Sequence, residues 1–473
     1  MSEKRDAVII GAGSAGLSAL RQVKNNTDSY VMINSGGLGT TCASTGCMPS
    51  KVLIHTANEF HSRLGMKDKG IFGGEDLRCD IPAVMKHVRS LRDRFAGGMT
   101  KVTKLMAGDK LINERAEILS PESVRAGDTV YETERIIIAA GSSPVIPEKW
   151  KTFSDRILTS RNIFEQEDLP ERIAVIGLGP IGLELGQALS RLGIQVSGFD
   201  MLSEIGGITD LEVNEAAISE IQKEFPLRLG EGAEITEEGG GLRVSTGSES
   251  CVVDKIVAAM GVRPNLSGLG LENLGIDLNQ RGLPEYNGRT TQIGDLPVFI
   301  AGDVNGCRAV LHEALDEGLI AGRNSFSENS DAFCRRTPLK IVFSSPQVSS
   351  AGRTFRELSK EEFVTGKSDF SDQSRAVIEG RNTGVLRIYA DKESGRILGS
   401  EMAVPEAEHL GHIISLAVEN GMTLEDMLHM PFYHPTVEEG LRSALRDAAK
   451  KFRDFSKSDE LSLCSSSPEY PVC

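Results

Sequence analysis

Two pairs of side chains in this sequence have the types and spacing of reaction chemistry. Cys42 and Cys47 stand five apart in Gly39-Thr-Thr-Cys42-Ala-Ser-Thr-Gly46-Cys47-Met-Pro49-Ser-Lys51. Five residues of regular helix rise about 7.5 Å, too far for a disulfide. A distorted turn at Gly46 would bring the thiols together. Pro49 suits the first turn of a following helix. Cys47 is then expected near that helix's N-terminus, where the dipole favours a thiolate, and Lys51 adds positive charge. A metal reading fits less well, because the spacing is not CxxC and no second cysteine or histidine pair matches it. Far along the chain comes Pro431-Phe-Tyr-His434-Pro435-Thr-Val-Glu-Glu439. An imidazole takes a proton from a thiol near neutral pH. A carboxylate five residues on would orient the ring, with Glu438 as the competing acid.

These groups need elements to carry them, and glycine marks where the chain must turn tightly. Asp6-Ala-Val-Ile-Ile10 reads as a buried strand, followed by Gly11-Ala-Gly13-Ser14-Ala-Gly16 and a helical stretch from Leu17 to Lys24. The order recurs at Arg172 to Ile176, Gly177-Leu-Gly179-Pro-Ile-Gly182, and Leu183 to Leu192. One GxGxxG is weak, but two copies between a strand and a helix specify two nucleotide sites. There a diphosphate approaches the free N–H groups of a helix N-terminus. The second strand of each unit ends 18 residues after the last glycine, at Asn34 and at Asp200. Asp200 would accept from ribose hydroxyls and repel a 2′-phosphate, and no arginine follows in Met201 to Glu204, so NAD is favoured over NADP. Two later apolar strands, one ending at Ala140-Gly141 and one at Gly302-Asp303, point to FAD in the first site, with Asp303 placed for the ribityl chain.

The chain has 473 residues, a net charge of −15, 50 glycines and 8 cysteines. That length suggests about three domains. The acidic balance argues against nucleic acid or an anionic membrane as partner. No apolar run approaches the roughly 18 residues of a membrane span. The first strand begins too early to leave room for a signal peptide, so a cytoplasmic protein with mostly reduced thiols is expected.

Taken in order, GAGSAG, the CxxxxC with PSK after it, GLGPIGLELG, GVRPN, AGDV and HPTVEE resemble the pyridine-nucleotide disulfide oxidoreductases, over roughly residues 5 to 450. The overall likeness is to the dihydrolipoamide dehydrogenase type. The resemblance implies an α/β fold with two Rossmann-like nucleotide-binding domains, for FAD and NAD, and a C-terminal α+β dimerisation domain. The expected boundaries are 1–150 and 271–334 for the FAD domain, 151–270 for the NAD domain, 335–450 for the interface domain and 451–473 for a tail. It implies Cys47 as the thiol beside the flavin and Cys42 as the interchange thiol. Lys51 and Glu184 would form an ion pair at the flavin. His434 would be the acid–base residue with Glu439 orienting it, reaching the disulfide of the other subunit in a homodimer, and the His434–Pro435 bond would be cis. By the same likeness FAD would be held by Gly11, Gly13, Ser14, Gly16, Asn34, Thr41, Lys51, Ala140, Gly141, Gly302, Asp303 and His312. NAD would be held by Gly177, Gly179, Gly182, Asp200 and Gly261.

The resemblance implies a substrate that is a small dithiol or disulfide, or a lipoyl-carrying protein. The alternatives are an NADH-dependent reductase of another disulfide, metal or sulfur compound, akin to mercuric or thioredoxin reductases, and a redox sensor. His434 argues against the sensor, which needs no general base. Four positions depart from the family's usual pattern: Asn34 for an acid, Thr40 for a glycine, Ala140 for a threonine and Phe432 for a histidine. Cys464 and Cys473 in the Pro- and Ser-rich tail could form a second dithiol. Cys79, Cys251, Cys307 and Cys334 match no motif and read as structural.

Overall fold

The computed structural model describes residues 1–247, 249–358 and 363–461. The chain falls into two compact units. The first comprises Met1–Glu59, Gly70–Leu169 and Ala258–Arg335; the second comprises Phe60–Lys69, Pro170–Val257 and the chain from Arg336 onward.

In the first unit five short strands form a wholly parallel sheet, in the order Val298–Ile300, Ile136–Ile138, Ala7–Ile10, Tyr30–Ile33, Leu111–Ile112. A parallel sheet covered on both faces needs apolar side chains on both, so its strands read as unbroken apolar runs. Val8, Ile10, Val31, Ile33, Ile136 and Ile138 pack into one core. Ala7, Ile9, Tyr30, Met32 and Ile137 pack into another. The loops that begin at Gly11, Asn34, Ala139 and Ala301 therefore leave the same edge of the sheet, which is where doubly wound sheets take ligands. A second, four-stranded sheet runs in the order Ser2–Arg5, Thr129–Thr133, Ser123–Ala126, Ala116–Ser120.

In the second unit, strands Arg172–Ile176, Gln195–Asp200 and Leu227–Leu229 are parallel neighbours. A five-stranded antiparallel sheet follows, in the order Leu339–Val342, Gln347–Gly352, Ile397–Val404, Val385–Asp391, Phe363–Asp369. Helices Ala407–Glu419 and Glu438–Phe452 contribute Leu410, Ile414, Leu441 and Leu445 to its core, beside Phe370, Ile388 and Met402. The length points to about three domains, yet the Pro170–Val257 and C-terminal segments share one unit. Hydrogen bonds explain the union. The Phe343 N–H donates to Glu184 Oε1 at 2.9 Å and the Ser345 N–H to Gln187 Oε1 at 2.7 Å. The Thr209 N–H and hydroxyl both donate to the buried Glu401 carboxylate, at 2.6 and 2.8 Å. The Tyr389 hydroxyl donates to the buried Asp210 carboxylate at 2.8 Å. Buried carboxylates are stable only when paired in this way.

The elements read from sequence are present with shifted ends. Helix Ser14–Val23 starts three residues earlier than Leu17, and helix Pro180–Arg191 starts at Pro180 rather than Leu183. Each helix opens inside its glycine loop, because Gly13 and Gly179 are themselves the N-caps. Strands Gln347–Gly352 and Phe363–Asp369 carry too much serine, glycine and charge to announce themselves. They are strands because their neighbours supply the ladder. Among the described residues no helix is long and apolar enough to cross a membrane.

Candidate functional site

The first unit builds a nucleotide loop and a cysteine turn from neighbouring segments of chain. Gly11 has φ +108°, and a Cβ there would lie 2.2 Å from the Ala139 carbonyl oxygen, so only glycine fits. The side of Gly13 is open: an added Cβ would meet no atom within 4 Å, and the same holds for Gly179 in the second unit. Neither glycine-capped helix has a side-chain cap. Both helix N-termini thus offer a cradle and unspent N–H donors, the donor set a diphosphate requires. Ser14 opens the first helix and Gly16 packs against Gly11, while Gly182 lies buried in the second helix.

Asn34 and Asp200 occupy equivalent slots. The Ala12 N–H donates to Asn34 Oδ1 at 3.1 Å, and the Leu178 N–H to Asp200 Oδ2 at 2.6 Å. Their second atoms differ. The Asn34 amide donates to the Gly36 carbonyl at 2.7 Å, whereas Asp200 Oδ1 accepts from the Leu202 N–H at 2.9 Å. A carboxylate at 34 would face the Gly36 oxygen without a proton to share, which is the local reason for the amide. Asp303 accepts from the Ser142 hydroxyl at 3.0 Å and follows Gly302, at φ +80°. Ala140 and Gly141 lie in the loop after strand Ile136–Ile138, which stops short of them, and the Ala140 carbonyl accepts from the Asn265 amide at 2.8 Å. His312 is exposed as the second residue of helix Leu311–Asn324, Thr41 is exposed, and Gly261 has φ +88°. The residues present in the two loops fit an FAD and a nicotinamide dinucleotide.

Cys42 is the second residue of a one-turn helix, Thr41–Ser44, and Cys47 opens helix Cys47–His61. Gly46 folds the chain back between them: a Cβ there would come within 3.1 Å of the Thr41 carbonyl oxygen and 3.4 Å of Cys42 Cα. This is the distorted turn that the five-residue spacing demands. Both cysteines are thiols here; Cys42 is half-buried and Cys47 exposed. The hydrogen bond with Cys47, then burial, push the Cys42 thiol well up from its ordinary value, with Lys51 opposing them. Cys42 therefore holds its proton at neutral pH, and its exchange chemistry calls for a base. Lys51 lies in this first unit, with Nζ 3.4 Å from Ser50 Oγ. Glu184 is buried in the second unit, where it accepts from Phe343.

In the second unit His434 Nδ1 lies 2.9 Å from Glu439 Oε2, and Glu439 rather than Glu438 makes the contact. The geometry assigns Nδ1–H to the carboxylate and leaves Nε2 as the base on an exposed ring. The His434–Pro435 bond is cis, as expected. Arg442 was not foreseen. Its Nη2 is 3.3 Å from Glu439 Oε1, and its guanidinium lies 5.5 Å from the Phe432 ring centroid. The i,i+3 spacing of Glu439 and Arg442 on one helix was the available signal.

Two further residues were invisible in the sequence. Glu317, 1% exposed, accepts from the Gly302 N–H and the Asn305 amide, both at 2.7 Å, and so organises the turn that carries Asp303. Arg335 Nη1 pairs with the other oxygen of Glu317 at 2.9 Å. Cys307 and Cys334 are exposed and Cys79 and Cys251 half-buried, so none is a core residue. Cys464 and Cys473 lie outside the described residues.

Two glycine-looped dinucleotide folds, a CxxxxC turn and a His–Glu dyad define a flavin-linked disulfide chemistry. The sequence matches the pyridine nucleotide-disulphide oxidoreductase family over residues 5–318 and that family's dimerisation domain over residues 339–445. The chain belongs to this family and is an FAD-binding, NAD(P)-dependent disulfide oxidoreductase. It is 31% identical over 455 residues to a dihydrolipoyl dehydrogenase of Thermus scotoductus, covering 93% of this chain and 96% of that one. The rat mitochondrial dihydrolipoyl dehydrogenase is 31% identical over 465 residues, covering 93% and 89%. Among solved structures, the HOCl-induced flavoprotein disulfide reductase RclA of Escherichia coli superposes with a TM-score of 0.81 at 22% identity, covering 94% and 99% of the two chains. LpdA of Mycobacterium tuberculosis superposes with a TM-score of 0.80 at 22% identity, covering 93% and 99%. At that identity the structural likeness speaks for the fold alone.

Proposed function

We propose that this protein is a cytoplasmic, homodimeric enzyme of the dihydrolipoyl dehydrogenase type. It oxidises a small dithiol or the reduced lipoyl group of a partner protein and delivers the electrons to NAD⁺. The observation that carries this reading is the 2.9 Å contact between His434 and Glu439, a base–orienter pair suited to thiol chemistry. We place the FAD domain in residues 1–150 and 271–334, the NAD domain in 151–270 and the interface domain in 335–450.

In the proposed reaction His434 Nε2 takes a proton from a substrate thiol. The resulting thiolate attacks Cys42 Sγ, the Cys42–Cys47 bond breaks, and Cys47 leaves as a thiolate with the electron pair. The second substrate thiol then attacks the first substrate sulfur and passes its proton to the departing Cys42, so the product disulfide leaves, His434 stays protonated and Cys47 stays a thiolate. Glu439 holds the ring and stabilises its charged form, serving the cysteine pair of the partner protomer. The loop of Gly11, Gly13 and Gly16 would hold FAD and the loop of Gly177, Gly179 and Gly182 would hold NAD, and these cofactors would supply the two-electron and hydride chemistry. Asp200, with its carboxylate already oriented by two backbone N–H groups, favours an unphosphorylated ribose.

A second reading is an NADH-dependent reductase of another disulfide, metal or sulfur compound. Thr40 and Phe432 support it, because both depart from the family pattern beside the reacting groups.

The test is anaerobic addition of dihydrolipoamide to the purified holoenzyme, then NAD⁺, with other dithiols in parallel. The dihydrolipoyl reading expects NADH formation with reduced lipoamide well above that with the other thiols. No NADH from lipoamide, with ready NADH oxidation by another disulfide, would select the second reading.

A further inference from the structure

Thr40 is out of place by its backbone. Its φ of +60° and ψ of +151° fall in a region that is essentially restricted to glycine, and a β-branched residue is poorly suited to it. Among the described residues the other non-glycines with positive φ are Thr291 and Glu406. Thr40 alone of the three adjoins the cysteine turn.

The neighbours explain why the conformation holds. Just before it, Gly39 at φ +118° is pressed onto helix Ile81–Ala107: a Cβ there would lie 3.1 Å from the Ala96 carbonyl oxygen and 3.2 Å from Ala96 Cβ. Just after it, the Thr40 carbonyl accepts from the Ser44 N–H at 3.1 Å and from the Ser44 hydroxyl at 2.6 Å. Thr40 Oγ1 accepts from the Ala43 N–H at 3.4 Å. All three bonds end on the single helical turn that carries Cys42. A turn of four residues has little stability of its own. A glycine would adopt the backbone without strain but would lose the Oγ1 bond.

We propose that Thr40 is a positioning residue for the cysteine pair. It caps and braces the Cys42 turn against the Ile81–Ala107 helix, so that Cys42 Sγ is held toward Cys47, and the local strain is tolerated for that purpose. The proposal rests on the redox reading of the pair and adds to it a residue that sets how readily the pair exchanges.

Three variants of the holoenzyme separate bracing from bulk. Thr40→Ser keeps the hydroxyl, Thr40→Val keeps the branched shape without the cap, and Thr40→Gly relieves the backbone and removes the cap. Each is equilibrated in dithiothreitol buffers of graded potential, and the open pair is counted by alkylation and mass. The rate of pair opening by dithiothreitol and the melting temperature are read on the same samples. Thr40→Ser should match the parent. Thr40→Val and Thr40→Gly should open and close roughly fivefold more slowly, with Thr40→Gly melting higher than Thr40→Val. A valine variant that equals the parent in rate and equilibrium overturns this proposal alone. A parent pair that forms no disulfide at any potential overturns it together with the redox reading.

Discussion

Replacing Arg335 with methionine is expected to remove about 3–5 kcal/mol of stability, the loss typical of stripping one partner from a buried ion pair. Arg335 Nη1 bonds Glu317 Oε1 at 2.9 Å, its Nη2 bonds Glu313, and both carboxylates are almost fully buried. Burial alone would push the Glu313 carboxyl up, yet the Arg308 and Arg335 hydrogen bonds hold it below its usual range. A depressed carboxyl contributes stability above its unfolded value of about 4.3, and loses it as pH falls through the lower folded value. The variant's deficit should therefore be fully present at neutral pH and narrow in acid. Glu317 also holds the Gly302 N–H and the Asn305 amide, so the turn bearing Asp303 should loosen and FAD should dissociate more readily. Thermal unfolding followed by flavin release reads both effects, and a fall of about 10 °C is expected for a unit of this size. Adding Glu317→Gln should recover part of the loss, since the buried charge goes with its partner. An unchanged melting temperature with tight FAD would refute the role given to Arg335.

Replacing His434 with glutamine should slow dithiol oxidation by roughly 10²–10⁴-fold, the usual worth of a positioned acid–base group. In the proposed reaction the substrate thiol must lose its proton before it attacks Cys42, and His434 Nε2 is the group that takes it. Glutamine keeps a similar length and polarity but cannot accept and return a proton. Glu439→Gln keeps the hydrogen-bond reach to Nδ1 and removes the charge that steadies the protonated ring, so it should cost less than His434→Gln. The control is NADH-driven reduction of an artificial electron acceptor, which bypasses thiol exchange and should stay near the parent rate. Equal losses in both assays would contradict the assignment of His434 to the thiol step.

Motif spacing carried the reading of this chain a long way, for a physical reason. A phosphate loop, a CxxxxC turn and a His–Glu dyad are each made by residues close in sequence. Gly11 to Gly16 turn from one strand into one helix. His434 and Glu439 meet across five residues that end in a helix's first turn. Asn34 and Asp200 showed themselves by equal offsets because both stand at the end of the second strand of the same supersecondary unit. Strands Gln347–Gly352 and Phe363–Asp369 did not show themselves, since residues such as Ser349 and Gly366 become strand only when a neighbour offers a ladder.

The sequence by itself determined the two dinucleotide loops, the CxxxxC turn, the pairing of His434 with Glu439 and the family, all through contacts that span a few residues. Tertiary structure alone decided three other things. Glu317 reaches Gly302 and Arg335 only when helix Leu311–Asn324 docks, because partners 15 and 18 residues away leave no periodic mark. The segment after Arg336 joins the Pro170–Val257 segment through Glu184, Gln187 and Glu401, partners that lie about 150 residues or more from the groups they bind. Thr40 reads in sequence as a substitution for glycine. Its strained backbone exists because Gly39 is pinned to Ala96 on one side and the Cys42 turn hangs from its carbonyl on the other.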